Sequence, residues 1–357
     1  MPAESLRVGI PLLTLVPGEL GGSETYVDGL LTALSARGTL DYRVYAPPVA
    51  PHAGGGLPAT IVDEYRAART VPQRAAAMAL AAARPAALRR RLADAEALHF
   101  PLTIMLPRVD TPAAVTLHDL QHLDLPELFP RAERAFRAVA WHRSVRRARL
   151  VIVPSAFVRD RAVALLGLDP ARVRVIHHGI DHERFRPGNE PREPIVLYPA
   201  RSWPHKNHDR LLEAFALLRR ERRGLRLVLT GGGAQTGAGV EQRGRVSLDE
   251  LASLYRRSAA LVFPSRYEGF GQPPLEAMAS GCPVACSNAA SLPEVCGDAA
   301  RYFDPDSPEQ IAGALAAVLD DPEPWRARGL AHAREFTWAR SAAAHEAVYR
   351  ELPGAPA

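Results

Sequence analysis

Lysine is nearly missing from this chain. Lys206 is the one lysine among 44 basic residues in 357, so arginine carries almost every positive charge. A site that keeps an ammonium against such a bias suggests a place where a compact point charge differs from a planar fork. Cysteine is scarce too: Cys282, Cys286 and Cys296 make no CxxC pair and no even set. That argues against a disulfide framework or a thiolate metal site and suits buried thiols in a reducing cytoplasm. No run reaches 18 apolar residues, and the alanine-rich 75–83 is stopped by Arg84 and Pro85, so no spanning helix is expected. The start, MPAESLRVGIPLL, places Glu4 before a short apolar run interrupted at Pro11 and Pro17; it reads as a first strand rather than a signal peptide. The net charge of +5 is modest. It fits an anionic small molecule, a membrane surface or nucleic acid without choosing among them. With 47% hydrophobic and 23% charged residues, disorder is expected only in short linkers and the tail PGAPA.

What is present is an alternation of apolar runs and helical patterns. Strands are expected in LRVGIPLLTL and at 42–46, 97–100, 113–118, 149–154 and 173–178, with a helix from about Thr25 carrying Val27, Leu30, Leu31 and Leu34 on one face. The charged, Pro/Gly-rich 183–194 reads as a linker. The pattern then restarts with strands at 195–200, 225–230, 260–264 and 283–286, a helix at 248–258 and a short helix from Pro273. The expectation is an α/β chain of two Rossmann-like parallel-sheet domains facing across a cleft, 1–187 and 188–335. A final amphipathic helix, 336–352, stands apart.

In open parallel sheets, ligands bind beyond the carboxyl ends of the strands. Three loops there carry polar residues. Gly21 and Gly22 precede a helix; that can be a phosphate site or an ordinary βα turn. Arg201 and Lys206 follow strand 195–200, and Asp209 is a candidate cap for the next helix; two cations there fit a diphosphate or a solvated loop. In PSRYEGFGQPPLEAMASG (264–281), Pro273 and Pro274 suit a helix's first turn, Gly281 its end, and Glu276 that first turn. Glu268, eight residues before Glu276, lies in the preceding loop. Carboxylates beside the Gly269-Phe270-Gly271 backbone suit a hydroxylated sugar. His118-Asp119 ends a first-domain strand.

Together, GGSE (21–24), LHD (117–119), VPSAFVRD (153–160), HHGID (177–181), RSWPHKN (201–207) and EGFGQPPLE (268–276) resemble the retaining, nucleotide-sugar-dependent glycosyltransferases of family 4, with the GT-B fold. The last of these is that family's E-x7-E element. The resemblance implies that Arg201 and Lys206 bind the diphosphate and that Glu276 binds the ribose hydroxyls. Glu268 and the Gly269–Phe270–Gly271 backbone would hold the transferred sugar, with Leu275 and Gly231 beside the donor. Gly21 and Gly22 would sit near the distal phosphate, and His118 near the reacting carbon. Helix 336–352 would cross back to the first domain. It further implies a GDP-mannose or UDP-hexose type of donor and a glycan, lipid-linked or small-molecule acceptor. No cofactor, metal or nucleic acid is implied. The segment between Gly233 and RGRVSLDEL is short compared with many relatives, which leaves the base open.

Asp304-Pro305-Asp306 matches D-x-D, yet it follows the short strand ARYF and precedes a helix; Asp306 or Ser307 reads as a cap rather than a metal ligand. Three other readings share parts of the pattern. A sugar-nucleotide 2-epimerase would need no acceptor, and the E-x7-E element argues against it. A non-catalytic sugar-nucleotide binder would not need both His118 and the full donor set. A phosphorylase with pyridoxal phosphate would have only Lys206 to hold it. RAERAFRAVAWHRSVRRAR (131–149), with seven arginines and Trp141, is either a solvated helix over the sheet or a peripheral contact with an anionic inner membrane face.

Overall fold

Parallel strands buried on both faces need apolar side chains in both directions, and LVIV at 150–153 shows it: Leu150 and Ile152 enter one core, Val151 and Val153 another. A computed structural model describes residues 5–65, 71–233 and 235–354. Met1–Glu4 and the last three residues of the PGAPA tail lie outside them. The chain divides into two units, residues 1–179 with 338–357, and 180–337.

The first unit runs β1 (Arg7–Pro11), α1 (Gly22–Arg37), β2 (Asp41–Ala46), β3 (Ala59–Ile61), α2 (Val71–Ala83), α3 (Ala86–Arg91), β4 (Ala97–Phe100), β5 (Ala113–Thr116), α4 (Gln121–Asp124), α5 (Arg131–Arg147), β6 (Leu150–Val153), α6 (Ala156–Leu166) and β7 (Val173–Val175). Its sheet is parallel, ordered β3-β2-β1-β4-β5-β6-β7. The second unit runs β8 (Glu193–Pro199), α7 (His208–Arg219), β9 (Arg226–Thr230), β10 (Val240–Gln242), α8 (Leu248–Arg257), β11 (Ser258–Phe263), α9 (Gln272–Ala279), β12 (Val284–Ser287), α10 (Leu292–Cys296), β13 (Ala300–Phe303), α11 (Pro308–Asp320) and α12 (Pro322–Ala333). Its parallel sheet is ordered β10-β9-β8-β11-β12-β13. In both sheets the order reverses beside the unit's first strand, between β1 and β4 and between β8 and β11. Such a switch point splays the loops apart and leaves room for a ligand.

The last helix, α13 (Trp338–Glu351), is part of the first unit and packs on α1. Polar contacts hold it. His345 Nδ1–H donates to Ser341 O at 2.8 Å, so its Nε2 accepts from the Tyr26 hydroxyl at 2.7 Å. Tyr26 accepts in turn from Thr116 at 3.0 Å, Thr116 from His99 Nε2–H at 2.8 Å, and His99 Nδ1 from the Tyr349 hydroxyl at 2.7 Å. Glu346 accepts from the Thr39 amide at 2.5 Å and from the Tyr42 hydroxyl. Trp338 fills the space over Gly29, where even a methyl group would lie 2.1 Å from the ring.

Several local expectations shift. Residues 183–194 are not a free linker: Phe185 is 4% exposed in the second unit's core, and that unit begins at Ile180. Helix α1 starts at Gly22, with Gly21 as its cap at φ 58°, so the glycine pair opens the helix instead of preceding it. Asp209 lies in the first turn of α7, whose cap is Asn207 at φ 62°. Glu276 is the fifth residue of α9, past the first turn, because the helix already begins at Gln272 behind Gly271. Ser307, accepting from the Gln310 amide at 3.2 Å, caps α11, while Asp306 pairs with Arg266. All three cysteines are buried thiols.

Candidate active site

The loop after β8 is pinned from below before it presents its cations. The Tyr198 hydroxyl donates to Lys206 O at 2.6 Å. The buried Asn207 amide donates to Pro264 O at 3.2 Å and Pro305 O at 2.6 Å, joining the ends of β8 and β11 and the loop before α11. Asn207 is among the few residue types that accept left-handed backbone at little cost. Gly231, at φ 96° after β9, lies against the same loop; a Cβ there would come within 2.7 Å of Ala200 C and O.

At the switch point between β8 and β11, Lys206 Nζ donates to Glu268 Oε1 at 2.5 Å, with side-chain exposures of 13% and 14%. Lys206 Nζ also lies 5.5 Å from the Phe263 ring centroid. Glu268 Oε2 has no partner among the described residues, so it can accept from a hydroxyl, and the ammonium has donors to spare. Arg201 stands over the Trp203 ring at 5.4 Å. Burial, and next the Lys206 charge, push the His205 imidazole down to about 4. A cavity of about 490 Å³ opens beside this loop, lined by Ser202, Trp203, Asn207, Asp209, Gln235 and Arg266. Lys206 and Glu268 are not in that lining.

The loop after β11 is held by Ser291, whose hydroxyl lies 3.0 Å from Glu268 O and 2.7 Å from Phe270 O. Phe270 is buried against Phe336 at 6.1 Å, Gly271 caps α9 at φ 107°, and Leu275 is fully buried. Phe270 and Leu275 therefore fix the loop with their side chains, while Gly269 remains partly exposed. Glu276 is 7% exposed and accepts from the Tyr255 hydroxyl at 3.1 Å. Burial pushes its carboxyl up to about 7, against the pull of the Tyr255 bond.

In the first unit, His118 follows β5. Its Nε2–H donates to Pro101 O, just past β4, at 2.8 Å, and the Tyr26 ring meets it edge-on at 5.1 Å. Burial holds the imidazole below its usual range. It is thus neutral, with Nδ1 left as an acceptor. A Cβ on Gly21 or Gly22 would meet no heavy atom within 4 Å, so the start of α1 is open to a ligand. The structure thus pairs Lys206 with Glu268 and sets Gly231 against the Arg201 backbone in the second unit; Gly269, Phe270, Gly271 and Leu275 follow Glu268 along the chain, Glu276 meets Tyr255 of α8, and His118, Gly21 and Gly22 stand in the first unit. Sequence reasoning missed Asn207, Tyr255 and Ser291; only Asn207, inside the RSWPHKN string, left a local signal.

Residues 179–334 match the family model described as glycosyl transferases group 1, and residues 20–184 the model described as Glycosyltransferase Family 4. The O-antigen chain mannosyltransferase B of Escherichia coli is 32% identical over 262 residues, covering 63% of this chain and 67% of that protein. A D-inositol 3-phosphate glycosyltransferase of Streptomyces scabiei is 31% identical over 61% of this chain and 57% of its own length. This chain is a member of the group 1 glycosyltransferases. Its fold matches sucrose-phosphate synthase from Thermosynechococcus elongatus (TM-score 0.78, 21% identity, 98% and 100% coverage). It also matches Anabaena HepE in complex with UDP and glucose (TM-score 0.70, 15% identity, 97% and 100% coverage). These likenesses carry the GT-B fold.

Proposed function

We propose that the chain moves a hexose from a nucleoside-diphosphate sugar to an acceptor hydroxyl with retention at the anomeric carbon and without a metal ion. The observation that carries this reading is the buried Lys206–Glu268 pair at the second unit's switch point, with Arg201 on the same loop. Negative charge grows on the bridging oxygen as the nucleoside diphosphate leaves. Preorganised cations with little water around them stabilise that charge strongly. Lys206 supplies a compact donor and Arg201 a fork. Glu268 Oε2 and the Gly269–Gly271 backbone take the sugar's hydroxyls, and Glu276 takes the ribose hydroxyls. On the first unit, His118 Nδ1 accepts from the sugar, and the start of α1 at Gly21–Gly22 receives the distal phosphate. The acceptor hydroxyl attacks on the face the leaving group departs from and gives its proton to the departing phosphate.

The names of the relatives in Escherichia coli and Streptomyces scabiei favour a mannosyl or related hexosyl group and either a surface-polysaccharide or a small phosphorylated acceptor. HepE, crystallised with UDP and glucose, keeps a uridine donor open beside a guanosine one. The second reading is a sugar-nucleotide 2-epimerase or a non-catalytic binder.

A thermal-shift screen against UDP, GDP, ADP and NAD, with and without EDTA, tests the donor. At 100 times its dissociation constant a ligand adds about 2.7 kcal/mol. A shift with UDP or GDP that ignores EDTA and vanishes in Lys206→Ala is expected. Lys206→Ala is expected to lower turnover by about 10²–10³ with the fold intact. Near-normal turnover in that variant sinks the assignment, and stabilisation by NAD alone sinks the donor reading. Inversion of sugar C2 without any acceptor identifies an epimerase.

A further inference from the structure

We infer that the outer face of α5 docks reversibly on an anionic lipid bilayer. A helix that only covers a sheet turns charged residues to water along its whole length. Here the outward line is split. Its first half presents Phe136, 41% exposed, and Val139, 51% exposed, among exposed Ala132 and Ala135. Its second half presents Arg143, Arg146 and Arg147 on the same side. These residues fall at helical spacings of three and four, so they form one face.

The other large exposed hydrophobics among the described residues, Leu80, Leu165, Trp203 and Leu248, stand on different elements. Such single side chains are ordinary. Phe136 and Val139 are neighbours one turn apart and continue into cationic surface. Arg143 and Arg147 make no hydrogen bond or ion pair among the described residues. The helix's single acid, Glu133, is taken by Arg137 at 2.7 Å. Arg137 itself is clamped between the Phe129 ring at 4.7 Å and the Trp141 ring at 4.4 Å, on the inner side. The outer face therefore carries apolar tips and uncompensated positive charge.

A short apolar tip next to free arginines fits an interface with phosphate headgroups above and acyl chains below. A second copy of the chain fits worse, because on this face it offers no free carboxylate to the arginines. Two apolar side chains do not anchor a protein alone, so binding depends on the anionic charge and on salt. No helix of the described residues is long and apolar enough to cross the bilayer; the contact is one of lying on the surface. It does not depend on the proposed transfer reaction.

The test is co-sedimentation of the full chain with vesicles of phosphatidylcholine alone and of an equal mixture with phosphatidylglycerol. Binding to the mixed vesicles only, weakened by salt, is expected. Arg143→Gln/Arg147→Gln lowers partitioning roughly thirtyfold, and Phe136→Ser/Val139→Ser lowers it on the order of tenfold. All four side chains are solvent-facing, so unchanged circular dichroism accompanies both variants. Absence from the mixed vesicles overturns the inference, as does equal binding to neutral ones or indifference to the arginine pair. Self-association that Phe136→Ser/Val139→Ser abolishes would assign the face to a second copy instead.

Discussion

Glu276 shows what it costs a single residue to hold a carboxyl in a buried place. Its carboxyl is buried, with one hydroxyl partner in Tyr255, and burial lifts it to about 7. The unfolded chain releases that proton near the ordinary carboxyl range, so the folded state binds more protons between there and neutrality. Stability is therefore lost as pH rises from the ordinary range through about 7, by at most about 3 kcal/mol. Glu276→Gln is expected to raise the unfolding midpoint at pH 8 and to leave it nearly unchanged at pH 5. Nucleotide affinity is expected to fall in the same variant. Denaturant melts at the two pH values, with nucleotide titrations, check both; a destabilised variant at pH 8 would refute the account. The sequence made Glu276 visible through its distance from Glu268. It did not show the burial, because Tyr255 comes from another helix.

At the scale of elements, strands and helices with a sustained pattern were legible, and some short or distant ones were not. β6 and β8 announce themselves as apolar runs. The edge strands β3 and β10 have three residues each and are not legible in the sequence, whereas the equally short β7 is, because the apolar alternation of VRVIHH runs on past it. The linker reading of 183–194 failed because its prolines and charges are real surface features, while Phe185 alone ties the segment into a core. The docking of α13 was implied by family resemblance only. Its hydrogen bonds join residues from Tyr26 to Tyr349, and no local spacing can encode them. Burial holds His345 down at about 4 and depresses His99 in the same sense. Each imidazole protonates more readily in the unfolded chain. The stability they lend is complete above the ordinary histidine range near 6.5 and is lost as pH falls through about 4. The first unit should thus loosen between these limits, and His345→Gln should flatten that dependence at a cost of about 1–3 kcal/mol at pH 7 from the broken Tyr26 bond. Urea melts at a series of pH values, followed by tyrosine fluorescence, test it; an unaltered pH slope would remove His345 from the explanation.

At the scale of the molecule, the two sheets share one plan, each reversing its strand order beside the unit's first strand. That much follows from the alternation of strands and helices along the chain. The unit boundaries do not, since the first unit takes its last helix from beyond the whole of the second. The second unit is continuous in sequence, residues 180–337. Time enters here. A chain emerging from the ribosome can close its second unit while the first still lacks the residues that satisfy Tyr26, His99 and Thr39. Domains generally fold as units during synthesis, so the segment made first is here the one finished last. Chains arrested after Thr337 and clear of the exit tunnel should resist brief proteolysis across 180–337 and be cut within 5–179. Protection of both segments would mean that the first unit closes without its final helix. Until that helix arrives, nascent chains carry an open apolar face on α1, and crowded translation of this protein has a built-in interval in which two such chains can meet.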